Sequence, residues 1–170
     1  MKQAHDYIWS VSREIKIELS KAELWEIISS RNHLEKFHPF CKSNKTVSWS
    51  NGSYEDSIEY YGGRILGRKF YNWIEGIGYD LKIGDSSGND SIVSWRIHEA
   101  QDCCTVSITI MPYIFNRGSK IWNFFPFFAY TKPKLSNYLD SVLMGLKFFS
   151  EQKEVVAANQ FGTHLSLIHI

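Results

Sequence analysis

Few side chains in this chain have a type and spacing that point to chemistry. His38 precedes Pro39 at the end of a short helical pattern. An imidazole there can serve as general acid or base, or be an ordinary loop histidine. His98, beside Glu99 near a strand end, reads as solvent-facing. Glu59, Arg64, Arg68 and Glu75 alternate with apolar neighbours and are expected to face water. Any of them turned inward would need a partner, and Arg68 with Glu59 on adjacent strands is the conceivable pair. Cys41, Cys103 and Cys104 are an odd number of thiols, two of them adjacent, which suits neither a disulfide framework nor a zinc site. No HExxH, GxSxG, P-loop or dinucleotide fingerprint occurs. Gly62-Gly63-x-x-x-Gly67 is too short for phosphate binding and lies among strands, so it reads as turn and close packing. No catalytic group is assigned, and neither metal nor cofactor is expected.

The elements that would position these groups follow from periodicity. Ile15, Ile17 and Leu19 alternate with charged residues, as in a half-buried strand. Ser20 and Glu23 form a capping box ahead of a helix over Lys21–Ser29, with Leu24, Trp25, Ile27 and Ile28 at helical spacing. Asn32 is placed to cap a second short helix over His33–Phe37, which Pro39 ends. Strands then follow at Thr46–Trp49, Ile58–Tyr61, Arg64–Glu75, Tyr79–Ile83, Ile92–Glu99 and Thr105–Tyr113, separated by Gly-, Asn- and Asp-rich turns. In the third of these, Ile65, Gly67, Lys69, Tyr71 and Trp73 share one face, and in the last Val106, Ile108 and Ile110 do. Such spacing predicts an antiparallel meander. Finally, Leu135, Leu139, Val142, Leu143, Leu146 and Phe149 mark an amphipathic helix over Lys134–Gln152.

With 170 residues, a 44% hydrophobic fraction and 15% aromatics, the chain can bury a substantial core in one domain. Nineteen basic against eighteen acidic residues leave a net charge of +1, which disfavours a nucleic-acid binder relying on phosphate contacts. The polar start and the lack of a long apolar run predict a cytoplasmic protein with reduced thiols. Leu165–Ile170 matches one reading frame of a sequencing-library adaptor and is expected to be a non-native tail, or else a short native one, leaving 1–164 as the domain.

One strand, two short helices, about six further antiparallel strands and a long C-terminal helix form an order that resembles the START-like superfamily, also called SRPBCC. That superfamily includes pollen-allergen-like and polyketide cyclase/dehydrase-like proteins. The stretch Ser20-Lys21-Ala22-Glu23-Leu24-Trp25-Glu26-Ile27-Ile28 is similar to its strand-to-helix opening, and Leu34 through Pro39 to its second helix. Trp95-Arg96-Ile97 resembles its tryptophan-containing strand, and Asn159-Gln160-Phe161-Gly162-Thr163-His164 the tail of one bacterial subgroup. The resemblance implies an α+β helix-grip fold, in which a curved antiparallel sheet wraps the long helix around an apolar cavity. It would make Tyr60, Tyr71, Trp73, Trp95 and Tyr113 from the strands, and Leu139, Leu143 and Leu146 from the helix, the candidate ligand-binding wall. Each could equally be plain core. His38 and Glu59 are the candidate acid/base groups.

The segment Ile121–Tyr130 is the most unusual: six of its ten residues are aromatic and none is charged. It is expected to act as a lid, to fold back as core, or to touch a membrane or a partner, with Lys120 and Lys132 as flanking anchors. Three functions follow from these features. One is binding or transport of a hydrophobic small molecule such as a lipid, polyketide or aromatic compound. Another is a cyclase or dehydratase acting in the same cavity. The last is membrane or partner docking through 121–130.

Overall fold

The computed structural model describes residues 7–50, 52–85, 88–100, 103–117 and 120–162. Seven strands, β1 (Val11–Ile17), β2 (Cys41–Ser50), β3 (Ser53–Tyr60), β4 (Ile65–Ile74), β5 (Gly78–Gly84), β6 (Ser91–Ala100) and β7 (Cys103–Met111), form one antiparallel sheet. Its order is β1-β7-β6-β5-β4-β3-β2, so every pair but β1–β7 joins sequence neighbours. The first strand and the last pair across almost the whole sequence, Val11 opposite Ile110 and Ile17 opposite Cys104.

Between β1 and β2 stand α1 (Lys21–Ser29) and α2 (Leu34–Phe37). The capping box of α1 is complete: the Glu23 amide donates to Ser20 Oγ at 3.3 Å, and the Ser20 amide donates to Glu23 Oε2 at 3.0 Å. Asn32 does not cap α2. It adopts φ 54°, and its Oδ1 accepts from the Thr46 amide and hydroxyl instead, pinning the connector to β2. With that contact made, β2 begins at Cys41, five residues ahead of the sequence expectation.

The larger correction concerns residues 113–131. The last strand stops at Met111, and the chain turns helical through α3 (Tyr113–Asn116), α4 (Lys120–Pro126), a π-helical turn (Phe127–Thr131) and α5 (Lys132–Gln152). Pro126 lacks an amide hydrogen and crowds the preceding turn, and the wider π turn directly after it lets the helix continue. The long helix thus starts well before Lys134.

Leu135, Leu139, Val142, Leu143 and Leu146 of α5 are buried against inward residues of the sheet, among them Ile58, Leu66, Leu81, Val106 and Ile108. Gly145 lets α5 approach α2: a Cβ there would lie 2.1 Å from the Phe37 carbonyl oxygen. After α5, Lys153 turns the chain in the left-handed region at φ 60°, and the following segment folds back. The Val156 amide donates to Lys36 O and the Asn159 amide to Pro39 O. Residues 163–170, with the expected non-native tail, lie outside the described residues. Among the described residues, no helix is long and apolar enough to cross a membrane.

Candidate functional site

Sheet and α5 enclose a small cavity whose wall is mostly apolar, with Ile58, Leu81, Val93, Trp95, Ile108 and Leu139 prominent. Its volume is about 40 Å³. Four polar side chains reach this wall: His38, Tyr60, Arg68 and Tyr138. Each is placed by a different element, namely the end of α2, the end of β3, the middle of β4 and the first turns of α5.

Three of the four are joined. The Phe40 amide donates to His38 Nδ1 at 3.2 Å, so the proton of the neutral ring resides on Nε2. Nε2 then donates to Tyr138 Oη at 3.0 Å. Tyr138 Oη and Tyr60 Oη lie 3.4 Å apart, a hydrogen bond in which either hydroxyl can donate. The His38 ring stands edge-on to both Tyr60 and Tyr138, and Phe40 stacks on Tyr138 at 5.4 Å. A row of hydrogen-bonding groups therefore borders an apolar space, each held in place by a ring neighbour.

Arg68 is the fourth. Both ends of its fork engage the Asp56 carboxylate, with Nε 2.7 Å from Oδ1, and both residues are buried. Burial pushes the Asp56 carboxyl up, but the Arg68 guanidinium outweighs it and the net shift is downward, so Asp56 stays ionised. Burial also raises the Tyr60 and Tyr138 phenols, keeping both protonated as donors. Cys41 is no nucleophile: burial pushes its thiol up to about 12. Apart from this site, His33 is fully buried and donates from Nδ1 to Ser30 O at 2.7 Å. Burial first, then the charge of Arg68, pushes its pKa down to about 3.

The sequence-derived candidates divide accordingly. His38, Tyr60, Trp95 and Leu139 line the cavity. Leu143 and Leu146 are buried core of α5 and do not reach it. Trp73 is half-buried in a separate ring cluster, stacked on Tyr54 at 4.0 Å and on Tyr79 at 5.4 Å. Tyr71 is half exposed on the outer face of the sheet, with Lys82 Nζ over its ring. The reason is a bulge between Phe70 and Asn72, which breaks the strict alternation of β4. Ahead of the bulge Leu66, Arg68 and Phe70 point inward, and beyond it Trp73 joins them. Tyr113 opens α3 and stands apart from the cavity. Glu59 faces outward, as its water-facing reading expected, and pairs with Lys42 at 2.6 Å, so its candidacy as an acid/base group in the cavity is corrected. Arg68 is inward where water was expected, and its partner is Asp56 rather than Glu59.

Asp56 and Tyr138 are the site residues that sequence reasoning missed. Tyr138 lies three residues after Leu135 and four before Val142, on the apolar face already marked, so its spacing carried the signal. Asp56 faces Arg68 directly in the β3–β4 register, a pairing that a sequence shows only once the register is known. Among the described residues, no cluster of three or more His, Cys, Asp or Glu side chains is arranged to hold a metal ion.

No protein-family model matches the sequence, and no functionally described protein matches it either. Solved structures do resemble it in shape. A START superfamily protein from Mycobacterium smegmatis superposes with a TM-score of 0.62 at 12% identity, covering 85% of this chain and 98% of that one. A protein of the dynemicin biosynthetic locus gives a TM-score of 0.65 at 9% identity over 86% of this chain. This chain spans about half of that protein's length, 48%. The Aha1 dimer from Colwellia psychrerythraea gives 0.57 at 14% identity, covering 82% and 97% of the two chains. At such identities the likeness speaks for architecture, and together with the sheet order and the long C-terminal helix it shows that the chain has the START-like, helix-grip α+β fold.

Proposed function

We propose that this chain binds a hydrophobic small molecule carrying an oxygen function, a lipid, polyketide or aromatic compound, between the sheet and α5. The observation that carries this reading is the row His38–Tyr138–Tyr60 on a wall that is apolar apart from them and the Asp56-paired Arg68. A filled core has no use for three aligned polar tips, whereas an apolar ligand with a carbonyl or hydroxyl oxygen needs both surfaces. At about 40 Å³ the space holds little more than water. A cavity of about 150 Å³ accepts benzene, so a ring-bearing ligand enters by displacing side chains. The yielding wall is α5, through Tyr138 and Leu139, because the sheet opposite is fixed by its hydrogen-bond ladder.

Native mass spectrometry of freshly purified protein, followed by denaturing extraction, tests this. A discrete apolar adduct that Trp95→Ala fails to retain is the expected result. A clean mass for the protein purified from several hosts and after incubation with mixed lipid and polyketide extracts would count against the reading.

The inward position of His38 favours one second reading, a cyclase- or dehydratase-like enzyme. Its Nε2–H, relayed through Tyr138, is placed to protonate or hydrogen-bond an oxygen on which negative charge develops. Glu59 plays no part in it.

A further inference from the structure

The helix α4 and the π turn after it carry their polarity inside out. Asn123 is the single non-aromatic polar residue of 121–130, and it points toward the protein, donating from Nδ2 to Phe115 O at 2.9 Å and to Arg117 O at 3.1 Å. Phe127 is also turned inward and is buried against Trp9. The apolar residues left over face out: Ile121 is 85% exposed, Trp122 81% and Phe125 76%, with Phe124, Phe128 and Tyr130 beside them. A surface helix normally shows the reverse.

The stretch of chain that carries this face has charge of one sign, and Asp90 lies across a surface pocket from Arg117 at its edge. From Cys103 to Leu139 the sequence contains no Asp or Glu, while Arg117, Lys120, Lys132 and Lys134 fall within that stretch. The cations sit among the rings: Lys134 Nζ is 3.5 Å from the Tyr130 ring centre and Lys132 Nζ 5.1 Å from that of Phe128. Asp140, the first acidic residue beyond, is engaged by Arg13 at 2.6 Å. Trp, Tyr and Phe rimmed by long cationic side chains match the boundary between acyl chains and anionic headgroups. A second copy of this face matches poorly, because two-fold packing would set Lys132 and Lys134 against themselves with no acidic residue of 103–139 to pair.

We propose that the outward face of α4 and the π turn, rimmed by Arg117, Lys132 and Lys134, is a docking surface for an anionic lipid bilayer. Its apolar side chains enter the interface while the cations meet lipid phosphates. The surface stands whether or not the cavity holds a ligand, and it fixes which end of α5 faces the bilayer.

Co-sedimentation with vesicles of phosphatidylcholine alone, or with about a third phosphatidylglycerol, tests it. The protein is expected to partition onto the anionic vesicles and to be released by high salt. Trp122→Ser with Phe125→Ser should lower the partition coefficient at least about tenfold, and Lys132→Glu with Lys134→Glu several-fold. Because Trp122, Phe125 and Lys132 are exposed and Lys134 is partly so, the variants should keep the parent melting temperature, which is measured alongside. Failure of the parent to bind anionic vesicles overturns the proposal, as does equal binding by the Trp122→Ser/Phe125→Ser variant. Sedimentation showing a dimer that the same variant dissociates, without vesicle binding, assigns the face to self-association and overturns it too.

Discussion

At the scale of single residues, the buried Asp56–Arg68 pair sets the polarity of the inner sheet face. Two charges leave water there, and their fork-to-carboxylate contact, with a hydrogen bond from Asn44 to Asp56, offsets that cost. Asp56→Asn, which strands a buried guanidinium, should destabilise the protein by about 3–5 kcal/mol in urea denaturation. Replacing both, Asp56→Leu with Arg68→Met, should recover most of that loss, and a double variant as unstable as the single one would refute the account. His33 gives a signed pH effect. Its pKa is lowered from 6.5 to about 3 in the folded state, so the unfolded chain takes up a proton that the folded chain refuses. The stability it contributes is whole above the ordinary value and is lost as pH falls between those limits, at up to about 1.4 kcal/mol per pH unit. Urea midpoints from pH 7 to pH 4 should fall steeply for the parent and more shallowly for His33→Gln. Arg68 was hidden in the sequence for a specific reason. Its strand alternates correctly, but Tyr71 and Trp73 are aromatic enough to suggest that the opposite face is the inner one, and the bulge after Phe70 is what reconciles them.

At the scale of elements, the local signals that were clearest in the sequence are those decided by neighbours in the chain. Ser20 and Glu23 fix the start of α1 through contacts three residues apart, and the helix is as read. Ser20→Ala should therefore cost about 1 kcal/mol, measurable as a lowered urea midpoint. Elements 113–131 were not legible, because helical periodicity is masked when six of the ten residues of 121–130 are aromatic and the outward face is apolar. Pro126 is a residue that interrupts helices, and nothing local announces a π turn. Gly145 belongs to this scale as well. In isolation, alanine would favour the helix by about 1 kcal/mol. Here the added Cβ would meet the Phe37 carbonyl, so α5 must move away from α2. Gly145→Ala should destabilise by about 1–3 kcal/mol and weaken the His38–Tyr138 contact, which spans the same two helices. The tyrosine ring resonances of Tyr138 in NMR spectra would report that shift.

For the whole molecule, the meander, the flanking helices and the long final helix were readable as an order, and the sheet topology follows it. The cavity was not. Its wall depends on which face of each strand the sheet turns toward α5, and its size on how far α5 settles into the sheet. The small volume and the paired hydroxyls make the proposal specific: a site of this kind should select oxygen on an apolar ring and not merely tolerate greasy molecules. The most direct test is a pair of NMR titrations with 2-naphthol and 2-methylnaphthalene, reading the Trp95 indole and Leu139 amide signals in the parent and in Tyr138→Phe. One hydrogen bond gained in an apolar site should favour the naphthol by about tenfold in the parent, with most of that preference gone in the variant. Equal affinity of the parent for both compounds, or no shift at Trp95 and Leu139 with either, would contradict the account.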